Sequence, residues 1–298
     1  MLYLLCSIIL SVVLLLNFRL YPRYKVSVLQ AIVFNYPVCF LTGLLLIPHN
    51  QHFNLDFSLD WTWMALALGV GFIITFLLSG YSTQRMGITA TSLANNMSLV
   101  VPVCFSLFIL QTGKPFDWLN YLGLVLALVA VGLSAIRKEE GVSVTSRGNI
   151  WLPVFVFVMY GITNTTINYM NFKYIPNPDL TITVTLTMVL GAIVAGLLML
   201  IVRVITGKEK IERQNFVAAV TLGVPNFLSF YTLLLALSEF QNNGAFVYPL
   251  YNVGVIVVAA AMAVFVFKEK LLTANKIGLL LAIMAIVLIS WQELWALR

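Results

Sequence analysis

The residues of this chain that could do chemistry are neutral polar side chains set inside apolar runs. Tyr160, Asn164 and Asn168 stand four apart, so on a helix they share one face. Asn35 with Tyr36, Tyr81, Asn95 with Asn96, Asn226 with Tyr231, and Tyr248 with Tyr251 and Asn252 interrupt other runs in the same way. Amides and phenols offer hydrogen bonds and ring surface without formal charge. That is the chemistry of binding a small neutral or zwitterionic organic solute. The same residue types also bond helix to helix, at about 0.6 kcal/mol per bond, and for a lone Ser or Thr this is the simpler reading. An amide facing lipid is costly, so these side chains are expected against protein or a watery cavity.

Catalysis has no comparable set of residues. The sequence contains no Ser-His-Asp order, no paired carboxylates within a run and no glycine-rich phosphate loop. The reading is therefore not an enzyme, and no cofactor is expected. His49 and His52 stand together without carboxylate or thiolate company, which does not make a metal site. Cys6, Cys39 and Cys104 lie inside apolar runs and read as small buried residues. Glu239 and Arg85, 154 positions apart at the ends of two runs, are the candidates for gating or coupling. Pro102, Pro225 and Pro249 fall inside runs and are candidate hinges, since each removes a helix hydrogen bond.

The elements that must position these residues follow from composition. The chain has 298 residues, 61% hydrophobic and 9% charged, with a mean hydropathy of +0.97. Soluble domains carry about 25% charged residues, so this chain lacks the polar surface to face water. Apolar runs bounded by charge fall at roughly 2–18, 28–48, 62–84, 89–110, 118–136, 150–171, 180–203, 215–238, 243–267 and 275–295. Each is near the ~20 residues a bilayer needs. None alternates with a period of two, so they read as helices. The first run has no basic residue before it and is kept as a membrane helix rather than a cleaved signal. The net charge of +6 is scattered between runs, with no basic cluster for nucleic acid.

The chain is also written twice. Leu68, Gly69 and Val70 return as Leu222, Gly223 and Val224, and Asn17, Phe18 and Arg19 return as Asn171, Phe172 and Lys173, both at an offset of 154. Gly43, Leu44 and Leu45 return as Gly196, Leu197 and Leu198 at 153. Tyr121 to Leu124 finds Lys276 to Leu279 at 155. The expected fold is an all-α polytopic membrane protein of about ten transmembrane helices in two five-helix repeats, 1–137 and 150–298, joined by a cytoplasmic linker at 138–149. An odd number of spans per half inverts the second repeat, the arrangement that lets a carrier open to either face. Of the Lys and Arg residues, 14 fall on the side holding the linker and 3 on the other, which places both termini outside.

Ten helices in two inverted halves within some 300 residues resemble the drug/metabolite transporter superfamily, specifically its EamA-like branch. Locally the resemblance is carried by residues 244–253, which include Pro249, then by Phe267 to Leu271 with Glu269, then by Gly278. Glu269 matches the family's loop glutamate; the first half departs, reading Thr112, Gly113, Lys114, Pro115. The resemblance implies carriage of small organic solutes, often outward, through a cavity lined by spans one to four and six to nine. It also implies cytoplasmic termini, against the charge count. The expected partners are a small-molecule solute and the lipid bilayer of the plasma (inner) membrane, with no nucleic acid, as monomer or homodimer. The alternatives are a multidrug exporter, a membrane-embedded enzyme and a structural membrane protein.

Overall fold

The computed structural model describes residues 1–47, 53–105, 109, 117–134, 151–174, 181–239, 244–289 and 291. Every regular element among them is helical: α1 Leu2–Leu20, α2 Val28–Leu45, α3 Asp60–Met86, α4 Ile88–Met97, α5 Val100–Phe105, α6 Trp118–Ser134, α7 Trp151–Tyr174, α8 Thr181–Ile205, α9 Arg213–Glu239, α10 Gly244–Phe265 and α11 Thr273–Ile289. A 3₁₀ turn, Tyr21–Tyr24, follows α1. A helix stands at each of the ten expected runs, and the fourth run is split between α4 and α5. His49, His52, Lys114 and the 138–149 linker lie outside the described residues.

Five spans are long and apolar enough to cross a bilayer: Leu2–Tyr24, Val28–Leu45, Asp60–Met86, Ile182–Ile205 and Arg213–Ala236. Three further apolar helices are shorter: Trp118–Leu133, Leu250–Phe265 and Thr273–Ile289. Large side chains such as Leu45, Val125, Leu198, Val217 and Leu280 point outward, as lipid-facing residues do. The described residues thus form an all-helical protein with several helices suited to a membrane.

Its packing follows small residues. α2 lies against α8 and α9, α3 against α7 and α8, α1 against α9 and α10, and α4 against α7 and α10, while α6 and α11 pair with each other. Where α3 meets α8, backbone touches backbone. A Cβ on Gly69 would lie 2.2 Å from Ala192 N, and one on Gly191 would lie 2.2 Å from Leu66 O. In lipid, where water does not drive helices together, such close approach supplies the attraction.

Two prolines act differently. Pro102 has no N–H to donate to Ser98 O, four residues back, and its ring crowds that carbonyl. The helix breaks there: Ser98 O accepts from Val101 N–H at 3.0 Å, and Ser98 Oγ donates to Asn95 O at 2.5 Å. Pro225 instead stays inside α9. The Thr221 carbonyl it leaves open accepts Asn17 Nδ2 of α1 at 3.2 Å, and Thr221 Oγ1 donates back to Asn17 Oδ1 at 3.0 Å. A neighbouring helix thus satisfies the freed group, as the membrane interior demands. Pro249 lies one turn into α10.

Candidate functional site

The middles of α1, α2, α7, α9 and α10 converge, and they bring several of the expected residues together. Ser11 Oγ and the Tyr251 hydroxyl are 2.7 Å apart, joining α1 to α10. Tyr160 of α7 stands close to Ser79 of α3, Tyr36 of α2 and Tyr251. Tyr36 is buried and its ring lies 6.1 Å from Phe76. Tyr160 and Tyr251 are enclosed by protein yet keep accessible surface. Both side chains thus lie inside the helix bundle without being fully packed.

Beside the tyrosines lies an amide pair. Asn226 Nδ2 donates to Asn35 Oδ1 at 3.2 Å and to Cys39 Sγ at 3.4 Å. The Cys39 thiol is shared between Asn35 Oδ1 and Gly223 O, each at 3.3 Å. Cys39 is therefore a polar member of the site as well as a small buried residue. On the far side, Asn164 Nδ2 reaches Ser98 Oγ at 3.5 Å, so α7 touches the α4–α5 break. Asn95, three residues before it, is partly accessible, and its side chain meets no bonding partner among the described residues. Asn252 is buried one position beyond Tyr251.

Other expected residues do not join. Asn96 turns back on its own helix, donating to Ser92 O at 2.8 Å. Tyr81 packs on the apolar cluster around Phe18 and Ile73, under the Arg85 guanidinium at 5.9 Å. Tyr231 borders the same cluster. Tyr248 is 44% exposed on α10. Asn168 lies a turn beyond Asn164 and is bonded within the protein. Arg85 and Glu239 are not brought together: Glu239 Oε1 is 2.6 Å from the Met1 amino group, at the end of α9.

A second polar group, absent from the expected site, ties the start of α2 to the α8–α9 loop. Gln30, 1% exposed, donates to Glu209 Oε2 and Lys210 O at 2.8 Å each. Its Oε1 accepts Asn215 Nδ2 at 2.7 Å and Glu212 N–H at 3.4 Å. Asn215 Oδ1 accepts Ser27 N–H at 2.9 Å, an open donor at the start of α2. Both donors and the acceptor of the Gln30 amide are thus engaged within the protein.

The central cluster holds no formal charge, and among the described residues no group of His, Cys, Asp or Glu could hold a metal ion. It can donate and accept hydrogen bonds and offer ring faces.

No protein-family model matches the chain. An uncharacterised protein of Haemophilus influenzae is 23% identical over 297 residues, which cover 97% of this chain and 96% of that one. A protein of known crystal structure overlays 98% of this chain and 99% of its own at a TM-score of 0.57 and 13% identity. That likeness is one of fold.

Proposed function

We propose that this chain is a multi-pass secondary transporter of the plasma (inner) membrane, of EamA-like drug/metabolite transporter architecture. It carries a small neutral or zwitterionic organic solute by alternating access, and outward export is the favoured direction. In this reading ten helical segments cross the bilayer as two inverted repeats, 1–137 and 150–298, with both termini outside by the charge count.

The observation that carries the reading is an exchange of contacts between the halves. A Cβ on Gly43 would meet Leu186 and Phe227, and one on Gly196 would meet Val33 and Ile73. Each residue of one set stands 153 or 154 positions from its counterpart in the other. Asn120 Nδ2 donates to Leu288 O at 3.1 Å, and Asn275 Nδ2 donates to Leu133 O at 3.1 Å, with both offsets at 155. Asn120 Oδ1 accepts Asp117 N–H at 3.0 Å and Asn275 Oδ1 accepts Leu272 N–H at 3.1 Å, at the same offset. Gly69 against Gly191 and Gly223 against Val38 repeat the pattern. Swapping the halves returns the same contacts, which supports an internal two-fold relation. A scaffold with that relation has two equivalent ways to open, one toward each face.

The uncharged central cluster supports the solute class. An ionic solute without a countercharge would be strongly penalised there. The test is uptake of a labelled metabolite panel into liposomes bearing the purified protein, with and without a pH gradient. The expected result is one class of uncharged or zwitterionic solute moving well above empty liposomes. Uptake of none would overturn the reading.

A further inference from the structure

Where α3 turns into α4, the chain reverses in one residue. Gly87 adopts φ +92° and ψ 169°, a conformation side chains rarely tolerate. Its bare face is filled by a carboxylate from the other end of the sequence. Glu269, in the loop after α10, accepts the Ile88 N–H at 3.1 Å through Oε1. A Cβ on Gly87 would lie 2.8 Å from that oxygen. Arg19, at the end of α1, completes the cluster. Its Nε is 3.8 Å from Glu269 Oε1, and its Nη1 donates to Gln84 O at 3.1 Å. Gln84 Nε2 returns a bond to Phe18 O at 3.3 Å. The anion sits at the start of α4 and the cation at the end of α3, where each helix dipole favours it.

We propose that Arg19, Gln84, Gly87 and Glu269 form a latch that closes the central site toward this face and must release for the site to open there. The proposal rests on the transporter reading. Glu269 belongs to the second half and the other three to the first, so the latch ties the halves together. Ser11 and Ser79 of the central cluster lie eight and five residues from Arg19 and Gln84 on the same helices. That is about 12 Å and 8 Å of helix, so parting the latch moves the walls of the site. With the Glu269 side chain 13% exposed, its charge-assisted bonds are only weakly screened.

Cys39, inside the central cluster, is the reporter. The protein carrying Cys6→Ser and Cys104→Ser is placed in oriented vesicles and exposed to a membrane-impermeant maleimide from either face. Glu269→Ala is expected to raise Cys39 labelling from the Arg19 face about tenfold, the loss of one charge-assisted bond. Glu269→Gln keeps the acceptor and loses the charge, so it gives a smaller rise and also serves if the alanine variant does not fold. Labelling equal to the parent in both variants, with solute uptake intact, overturns the latch alone. Labelling from neither face in any variant, with no solute moved, overturns the transporter reading along with it.

Discussion

Two polar regions of this protein use the same side chains to opposite ends. The knot at the start of α2 is saturated: both donors and the acceptor of Gln30 are engaged, and Asn215 bridges it to Ser27. The central cluster is less tightly sealed. Tyr160 and Tyr251 keep accessible surface, and the Asn95 side chain meets no partner among the described residues. A buried amide with every bond made fixes a structure, whereas one with bonds to spare inside an opening can meet a solute. Residue type alone therefore says little; the state of satisfaction separates a fastener from a binding surface.

The largest effect should come from the fastener. Asn215→Leu strands the Ser27 N–H and leaves the Gln30 Oε1 only the long bond from Glu212 N–H, and should cost about 3 kcal/mol, read as a lower unfolding temperature in detergent. Uptake per folded molecule should stay near the parent. A strong loss of uptake at unchanged stability would erase the distinction between the two regions.

Between the two lies the Asn35–Asn226 pair, part of the cluster but bonded to itself. Asn35→Leu alone should cost about 2 kcal/mol by leaving the Asn226 amide only its weaker bond to Cys39 Sγ. The double change Asn35→Leu, Asn226→Leu should recover most of that, because removing both partners leaves nothing unsatisfied. Failure to recover would mean the pair does more than hold α2 to α9.

The opposite signature is expected at the tyrosines. Tyr160→Phe removes one hydroxyl from the central cluster, and uptake should fall by about tenfold, equivalent to about 1.4 kcal/mol, with stability within about 0.5 kcal/mol of the parent. Asn95→Ala should be the mildest, shifting apparent solute affinity by a few-fold at about 1 kcal/mol or less and leaving unfolding unchanged.

Much of the fold was legible because lipid imposes a simple rule: long apolar runs must become helices. A helix stands at each run, and the doubled sequence pointed to the contacts that exchange between halves. The match of Tyr121 to Leu124 with Lys276 to Leu279 stops one residue short of Asn120 and Asn275, which carry the paired bonds to Leu288 and Leu133. Extending that match by one position would have found them. Pro102 announced a disturbance in the fourth run, but its form, a full break at Ser98, depended on the backbone bonds left over.

The site was less legible. That Tyr36, Tyr160 and Tyr251 converge, while Tyr81 and Tyr231 border an apolar cluster, is decided by helix rotation, which a uniformly apolar sequence does not encode by periodicity. The Gln30 knot joins residues some 180 positions apart with no local signature. The Glu269 loop stood out only through a family resemblance, and its place against Gly87 came from the packing of α4 and α10.

The central claim is that the tyrosine cluster lines a solute path reached alternately from both faces. It is tested most directly by Tyr160→Cys in protein lacking its other three cysteines, labelled by an impermeant thiol reagent from each side of sealed vesicles. The account predicts labelling from either side, slowed by the transported solute. Labelling from one side only, or from neither, in a folded protein would contradict it.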